Sequence, residues 1–205
     1  GAFVFGYADA WVLAPEREGA HNWEGTGILC ARRSLDALRE VTGPGGHPAM
    51  ADRGADTGRV IYVGHSRGGH GAWMMGMHHP DRALGVASLS GWWKREEYAD
   101  ANILFDLDTQ LSHMGPHLRG LLSATIADHD SALLAANLRG IDVVVRTGAE
   151  DSSVPPWHSR RMARVLLEHG VNVTFSELKG KGHWWWDTRS PSDGGAVNDP
   201  PLRRF

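Results

Sequence analysis

Short apolar runs alternate with longer amphipathic stretches along most of this chain. The short runs predict buried β-strands, since they are brief, bounded by turn residues and partly β-branched. Five strands are expected, at 10–14, 59–63, 84–89, 141–146 and 171–178. The run at 141–146 is mostly β-branched and contains three consecutive valines, Val143–Val145, which is typical of a strand buried on both faces of a parallel sheet.

Stretches with apolar residues at helical spacing lie between these runs. Pro80 and Gly170 end two of them, because proline excludes helical backbone before it and glycine favours a helix C-cap. The predicted helices cover 28–41, 68–79, 116–127, 129–138 and 156–169. Loops are expected at 16–27, 43–58 and over the last twenty residues, and 1–10 is a short helix or loop.

Strands separated by helices predict the α/β class, a mostly parallel sheet with flanking helices and right-handed crossovers. The length of 205 residues fits one domain over the whole chain. Residues 94–139 are longer than a minimal crossover, so they are a candidate cap insertion. No internal repeat and no low-complexity linker divides the sequence.

The composition of the chain limits which binding partners are expected. The net charge is −3 without a basic run that could track phosphates, so no nucleic acid is expected. No apolar stretch is long enough to span a bilayer, so no membrane partner is expected. Cys30 is the only cysteine, which excludes an intramolecular disulfide and, with no visible signal peptide, favours a cytoplasmic location.

The segment Gly64-His65-Ser66-Arg67-Gly68 has the pattern G-x-S-x-G, directly between a predicted strand and a predicted helix. This is the setting of a nucleophile elbow, where a strained turn exposes a serine hydroxyl and glycines permit close approach. The alternative is a glycine-rich turn with an incidental serine. The His65 side chain is expected to point away from the reacting centre and to be structural.

A nucleophilic serine needs a base and an acid that orients the base. His183 follows the fifth predicted strand, and Asp151 and Glu150 follow the fourth, so all lie at the carboxyl edge of the sheet. Asp151 is favoured over Glu150 because the shorter acid suits a fixed contact to an imidazole; either could instead be a helix N-terminal acid. Other histidines, His78, His79 and His169, end predicted helices.

The Arg67 N–H is the expected first donor of an oxyanion hole. No loop that could supply the second donor precedes the strand at 10–14, so we expect that donor and the N-terminal strands to lie upstream of Gly1. His113 and His117 flank Gly115-Pro116 and do not make a helical metal pair, so neither a catalytic metal nor a cofactor is expected. Cys30, inside a helix, is not expected to be a nucleophile.

Nine tryptophans make an aromatic core or an aromatic-walled pocket possible. Trp92, Trp93 and Trp184 follow predicted strands and are candidates for the pocket wall, with core packing as the alternative. Arg67 is a candidate for binding a carboxylate. Arg160 and Arg161 are a second candidate, although a solvated helix face explains them equally simply.

The chain resembles the α/β-hydrolase superfamily, and more narrowly the catalytic domain of prolyl oligopeptidase-like serine peptidases. The matching segments are Gly64–Gly69, Asp151-x-x-Val154-Pro155, Gly182-His183 and Pro15–Ala20, and the likeness covers most of 10–187. It implies a triad of Ser66, Asp151 and His183 that cleaves a peptide bond through an acyl-enzyme, with a peptide or small ester as substrate. A carboxylic-ester hydrolase and a non-catalytic hydrolase-like fragment are the alternatives.

Overall fold

The computed structural model describes residues 5–16, 19, 21–51, 53–98, 114–186 and 194–205. Its centre is a parallel sheet whose four strands follow one another in sequence order. The strands are β1 (Val60–His65), β2 (Ala83–Leu89), β3 (Asp142–Gly148) and β4 (Asn172–Leu178). The predicted α/β class, and four of the five predicted strands, are therefore confirmed.

Helices precede, connect and follow the strands. They are α1 (Thr26–Thr42), α2 (Arg67–His78), α3 (Pro116–Ala127), α4 (Ser131–Leu134), α5 (Trp157–Glu168) and α6 (Pro200–Arg203). The helix predicted at 129–138 is α4 followed by a 3₁₀ turn at Ala135–Leu138. The C-terminal residues were expected to be loop-like; instead α6 forms with proline in its first turn and buries Leu202.

The strand predicted at 10–14 is wrong. This segment has no regular structure, and the Trp11 and Val12 side chains are exposed. Its contacts are of another kind, since the Trp11 indole N–H donates to the Arg53 carbonyl at 2.7 Å. An apolar run becomes a strand only where a neighbouring strand pairs with its backbone, and among the described strands β1 pairs with β2 alone.

Apolar side chains cover both faces of the sheet. On one face, the core surrounds α2, whose Trp73, Met74 and Met77 are fully buried. On the other face, a smaller cluster contains Leu89, Val144 and Leu202. Neighbouring side chains along a strand point to opposite faces, so the continuous apolar run of β3 supplies both clusters.

The region considered as a cap, 94–139, is described only in part, because 99–113 lie outside the described residues. Its described portion holds a 3₁₀ turn at Arg95–Glu97, then α3 and α4. None of the helices that the structure describes is both long and apolar enough to cross a bilayer.

Candidate active site

Ser66 sits in the tight turn between β1 and α2. Its backbone has φ 57° and ψ −119°, a region that residues other than glycine seldom adopt. The Ser66 N–H donates to the Leu89 carbonyl at 2.8 Å, and the Ser66 carbonyl accepts from the His70 N–H at 3.1 Å. The turn is thus bonded to the end of β2 and to the first turn of α2, which is the geometry of a nucleophile elbow.

Asp151 and His183 are joined by a hydrogen bond. His183 Nδ1 lies 2.8 Å from Asp151 Oδ2, and both side chains are buried. The other carboxylate oxygen, Oδ1, accepts from the backbone N–H groups of Ser153 at 2.9 Å and Val154 at 2.8 Å. Because an ionised carboxylate only accepts, Nδ1 carries the proton that it donates to Asp151. In a neutral His183 the other nitrogen, Nε2, then has a lone pair that can accept a proton.

The surroundings of Asp151 keep it ionised. Burial raises the pKa of this carboxyl group, but the hydrogen bonds from Ser90, the Val154 N–H and His183 outweigh that effect. The pKa of Asp151 is therefore held below its ordinary value. By contrast, the neighbouring Glu150 is exposed, and its backbone N–H donates to the Lys181 carbonyl at 2.8 Å.

His65 connects the elbow to the loop that carries His183, contrary to our expectation that it points away. Its Nε2 donates to the His183 carbonyl at 2.9 Å, and the two rings lie 4.6 Å apart. Burial, with a smaller effect of His183, lowers the pKa of His65 to about 4. His65 is therefore neutral near pH 7. It reaches the His183 carbonyl because residue 65 ends β1, beside the loop that follows β4. Among the described residues, no hydrogen bond joins the Ser66 hydroxyl to His183.

The predicted pocket tryptophans differ in exposure. Trp92 is 1% exposed and stacks between His70 at 4.7 Å and Tyr98 at 4.1 Å. Trp93 is 4% exposed and belongs to the main core. These two pack inside the fold, which agrees with the alternative of core packing and not with a pocket wall. Trp184 is 69% exposed, and its ring lies 5.0 Å from that of His183.

The three arginines considered as binding sites for a substrate carboxylate have different surroundings. Arg161 Nη1 lies 3.0 Å from Glu97 Oε2, and Arg160 Nε lies 3.4 Å from Glu177 Oε2. Each already has a carboxylate partner within the chain. The Arg67 side chain is exposed, while its backbone N–H belongs to the first turn of α2, where donors lack partners within the helix.

Two groups of polar residues near the site were not predicted from the sequence. Ser90 donates to the Asp151 carboxylate at 2.6 Å. Buried Glu24 contacts His70 at 3.0 Å and Arg95 at 2.9 Å, which joins the segment before α1 to α2 and to the loop after β2. The place of Ser90 at the carboxyl end of a predicted strand was a usable signal, whereas nothing in the local pattern marks Glu24.

Few residues of the chain are candidates for binding a metal ion. His117 is exposed on α3, and His113, which was not expected to form a metal pair with it, lies outside the described residues. In the part of the chain that the structure describes, no three histidine, cysteine, aspartate or glutamate side chains form a group that could hold a metal ion. Cys30 is half-buried in α1.

The parallel sheet with flanking helices, and the serine turn between β1 and α2, define an α/β-hydrolase fold. Residues 49–193 match the sequence model of the prolyl oligopeptidase family. The chain therefore belongs to that peptidase family.

The chain is similar to much longer proteins. An uncharacterized secreted protein of Arthroderma benhamiae is 30% identical over 181 residues, which are 86% of this chain and 18% of that protein. A structure described as a dipeptidyl aminopeptidase IV of Bacteroides ovatus has a TM-score of 0.58 at 13% identity, over 84% of this chain and 21% of that one. Acylaminoacyl peptidase of Pyrococcus horikoshii has a TM-score of 0.52 at 20% identity, over 74% and 24%. At these identities the two structures support the fold alone.

Proposed function

We propose that Ser66, His183 and Asp151 form the catalytic triad of a serine peptidase that cleaves peptide bonds through an acyl-enzyme. The observation that carries the proposal is the 2.8 Å hydrogen bond between His183 and Asp151. The loop of His183 is in turn bonded to His65, the residue before Ser66. A serine on a nucleophile elbow, beside an imidazole oriented by a carboxylate, is the arrangement that acyl transfer requires.

In the proposed reaction, Nε2 of His183 takes the proton from the Ser66 hydroxyl as its oxygen attacks the substrate carbonyl. Asp151 holds the proton on Nδ1 and stabilises the imidazolium that forms. The Arg67 N–H donates to the oxyanion of the tetrahedral intermediate. The imidazolium then protonates the leaving amine, and a water molecule, activated by the same imidazole, releases the acyl group and restores Ser66.

The Ser66 hydroxyl and His183 share no hydrogen bond in the part of the chain that the structure describes. Catalytic hydrogen bonds often tighten only in the complex with substrate, so a missing serine–histidine bond is compatible with this role. Beside them, the exposed Trp184 offers an apolar surface. We assign to Trp184 the contact with an apolar or proline-like group of the peptide.

The family supports a peptidase, because the prolyl oligopeptidase family is the one whose sequence model the chain matches. The chain spans about a fifth of the length of the relatives above, so the substrate of the whole protein is part of the proposal. A peptide or a small ester is the expected partner, and neither a cofactor nor a nucleic acid enters the reaction.

The test is fluorophosphonate labelling of the full natural protein, followed by peptide mapping. We expect the label on Ser66, loss of the label in Ser66→Ala, and normal labelling in Ser152→Ala, which removes an exposed hydroxyl near Asp151. A folded protein that is not labelled at Ser66 would overturn the proposal in favour of a non-catalytic module. Turnover of aminoacyl-prolyl anilides against p-nitrophenyl acetate then separates a peptidase from an esterase.

A further inference from the structure

Ser90 contacts the carboxylate that orients the proposed base. Its Oγ lies 2.6 Å from Asp151 Oδ2, the same oxygen that accepts from His183. Ser90 is fully buried, so its hydroxyl has no access to water and none to substrate. The Thr147 hydroxyl lies 3.3 Å from the Ser90 oxygen and is fully buried as well.

The direction of these bonds follows from the chemistry of the groups. An ionised Asp151 has no proton to give, so Ser90 must donate its single proton to the carboxylate. The Ser90 oxygen can then only accept at Thr147, whose single proton the Gly148 carbonyl also approaches, at 3.4 Å from the Thr147 oxygen. Asp151 Oδ2 thus accepts from both Ser90 and His183, and Nδ1 of the imidazole carries the proton of the second bond.

The backbone holds Ser90 in place for this contact. Ser90 follows β2 directly, and its N–H donates to the Arg146 carbonyl at 2.8 Å, which bonds it to β3. Its φ is 47°, in the left-handed region that a serine adopts only where its surroundings enforce it. The strand end and the bond to β3 aim the hydroxyl at the loop of Asp151.

We infer that Ser90 is a positioning residue of this site: it fixes the Asp151 carboxylate so that one oxygen faces His183 Nδ1. Oδ1 is fixed by the backbone of Ser153 and Val154, whereas Oδ2 has only Ser90 and His183 as partners among the described residues. Without Ser90, the orientation of Oδ2 would depend on His183 itself. The inference rests on the proposed function, because it concerns the orientation of the proposed base.

The test replaces Ser90 in the full natural protein by alanine and by glycine. Glycine adopts a positive φ without strain, so Ser90→Gly removes the hydroxyl and keeps the turn. Loss of a hydrogen bond to a charged group predicts a kcat about 10- to 100-fold lower in both variants. KM should stay unchanged, because a fully buried Ser90 does not touch substrate. The downfield proton resonance of the His183–Asp151 bond should broaden or shift.

The matched control is Ser88→Ala. Ser88 lies on β2, two residues before Ser90, is 1% exposed and donates to the Gly69 carbonyl at 2.9 Å, with no hydrogen bond to Asp151 among the described residues. Ser88→Ala should keep the proton resonance and a near-normal kcat even if it lowers stability. The inference is overturned if a folded Ser90 variant, of either kind, has the kcat and resonance of the Ser88 control. If Ser66→Ala is itself active, the proposed function fails first, and the two failures are thereby distinguished.

Discussion

Gly64 and Gly68, the two glycines of the elbow, pack against each other in an unequal way. A Cβ placed on Gly64 would collide with the carbonyl group of Gly68, a backbone group that cannot rotate aside. A Cβ on Gly68 would meet nothing within 4 Å outside its own helix. The first glycine of the motif is therefore required by packing, while the second has room for a side chain.

Gly64→Ala should deform the elbow, and Gly68→Ala should not. Overpacking at the first position costs about 1–3 kcal/mol of unfolding free energy and displaces Ser66. Alanine at the second position gains up to about 1 kcal/mol of helix propensity, because residue 68 lies within α2. Denaturant unfolding and fluorophosphonate labelling rates of the two variants measure the difference. Equal effects of both substitutions would contradict this explanation of the motif.

Asp151→Asn should affect turnover far more than substrate binding. The substitution keeps the size of the side chain but removes the charge and the obligatory acceptor that hold His183 in one tautomer. We expect kcat to fall by about 10³–10⁴, with KM within a few-fold of the parent value. Steady-state kinetics on the substrate of the full natural protein check this.

Glu150→Gln is the matched control for Asp151→Asn. Its side chain is exposed and one residue away, so kcat should remain within about twofold of the parent, as for most surface substitutions. A large loss in this variant, with a small loss in Asp151→Asn, would assign the orienting role to Glu150.

Trp184 and Trp185 are neighbours with opposite surroundings. Trp184 is 69% exposed, whereas Trp185 is 7% exposed and belongs to the second core cluster. Trp184→Ala should raise KM for apolar substrates about tenfold, through loss of an apolar contact, and change stability by less than about 1 kcal/mol. Trp185→Ala should instead lower the free energy of unfolding by about 3–5 kcal/mol.

Denaturant unfolding and KM values on a series of apolar substrates separate the two effects. An unchanged KM in Trp184→Ala would remove this residue from the proposed pocket. A stability loss in Trp184→Ala equal to that in Trp185→Ala would show that its ring packs as core.

His158 should make the protein less stable in mild acid. Burial, assisted by Arg161 and opposed by Asp151, lowers the pKa of His158 from 6.5 to about 4. Between these pH values the unfolded chain binds a proton that the folded chain does not, so stability falls as pH decreases from 6.5 to 4. For the 1% exposed His158, the total loss is about 3 kcal/mol.

His158→Phe keeps an aromatic ring against Trp157, whose ring lies 3.7 Å away, and removes the titrating group. Unfolding free energies at pH 7 and pH 4.5 should then differ less than in the parent protein. His65, whose pKa is also about 4, maintains part of the slope, whereas Asp151 acts at lower pH because its pKa is held below the ordinary value of an aspartate. The exposed His117→Phe serves as control; a parent-like slope in His158→Phe would contradict the assignment.

The local sequence was sufficient for the elements that depend on neighbouring residues. The periodicity of apolar side chains located β1 to β4 and the helices α1, α2 and α5 within a few residues. The elbow was also visible, because a strand, a serine turn and a helix follow one another without interruption. These features arise from side-chain spacing and turn sterics, which a short stretch of chain carries in itself.

Only the tertiary structure decided which distant residues meet and which apolar residues are covered. Asp151 and His183 are 32 residues apart, and Ser90 and Asp151 are 61 apart, so their contacts depend on the order of strands in the sheet. The segment 10–14 is apolar, yet its backbone pairs with no described strand. The tryptophans that follow β2 and β4 occupy similar positions in the sequence, but Trp184 is exposed and most of the others are buried. Strand pairing and burial are properties of the assembled sheet, and no local pattern encodes which partner will cover a given side chain.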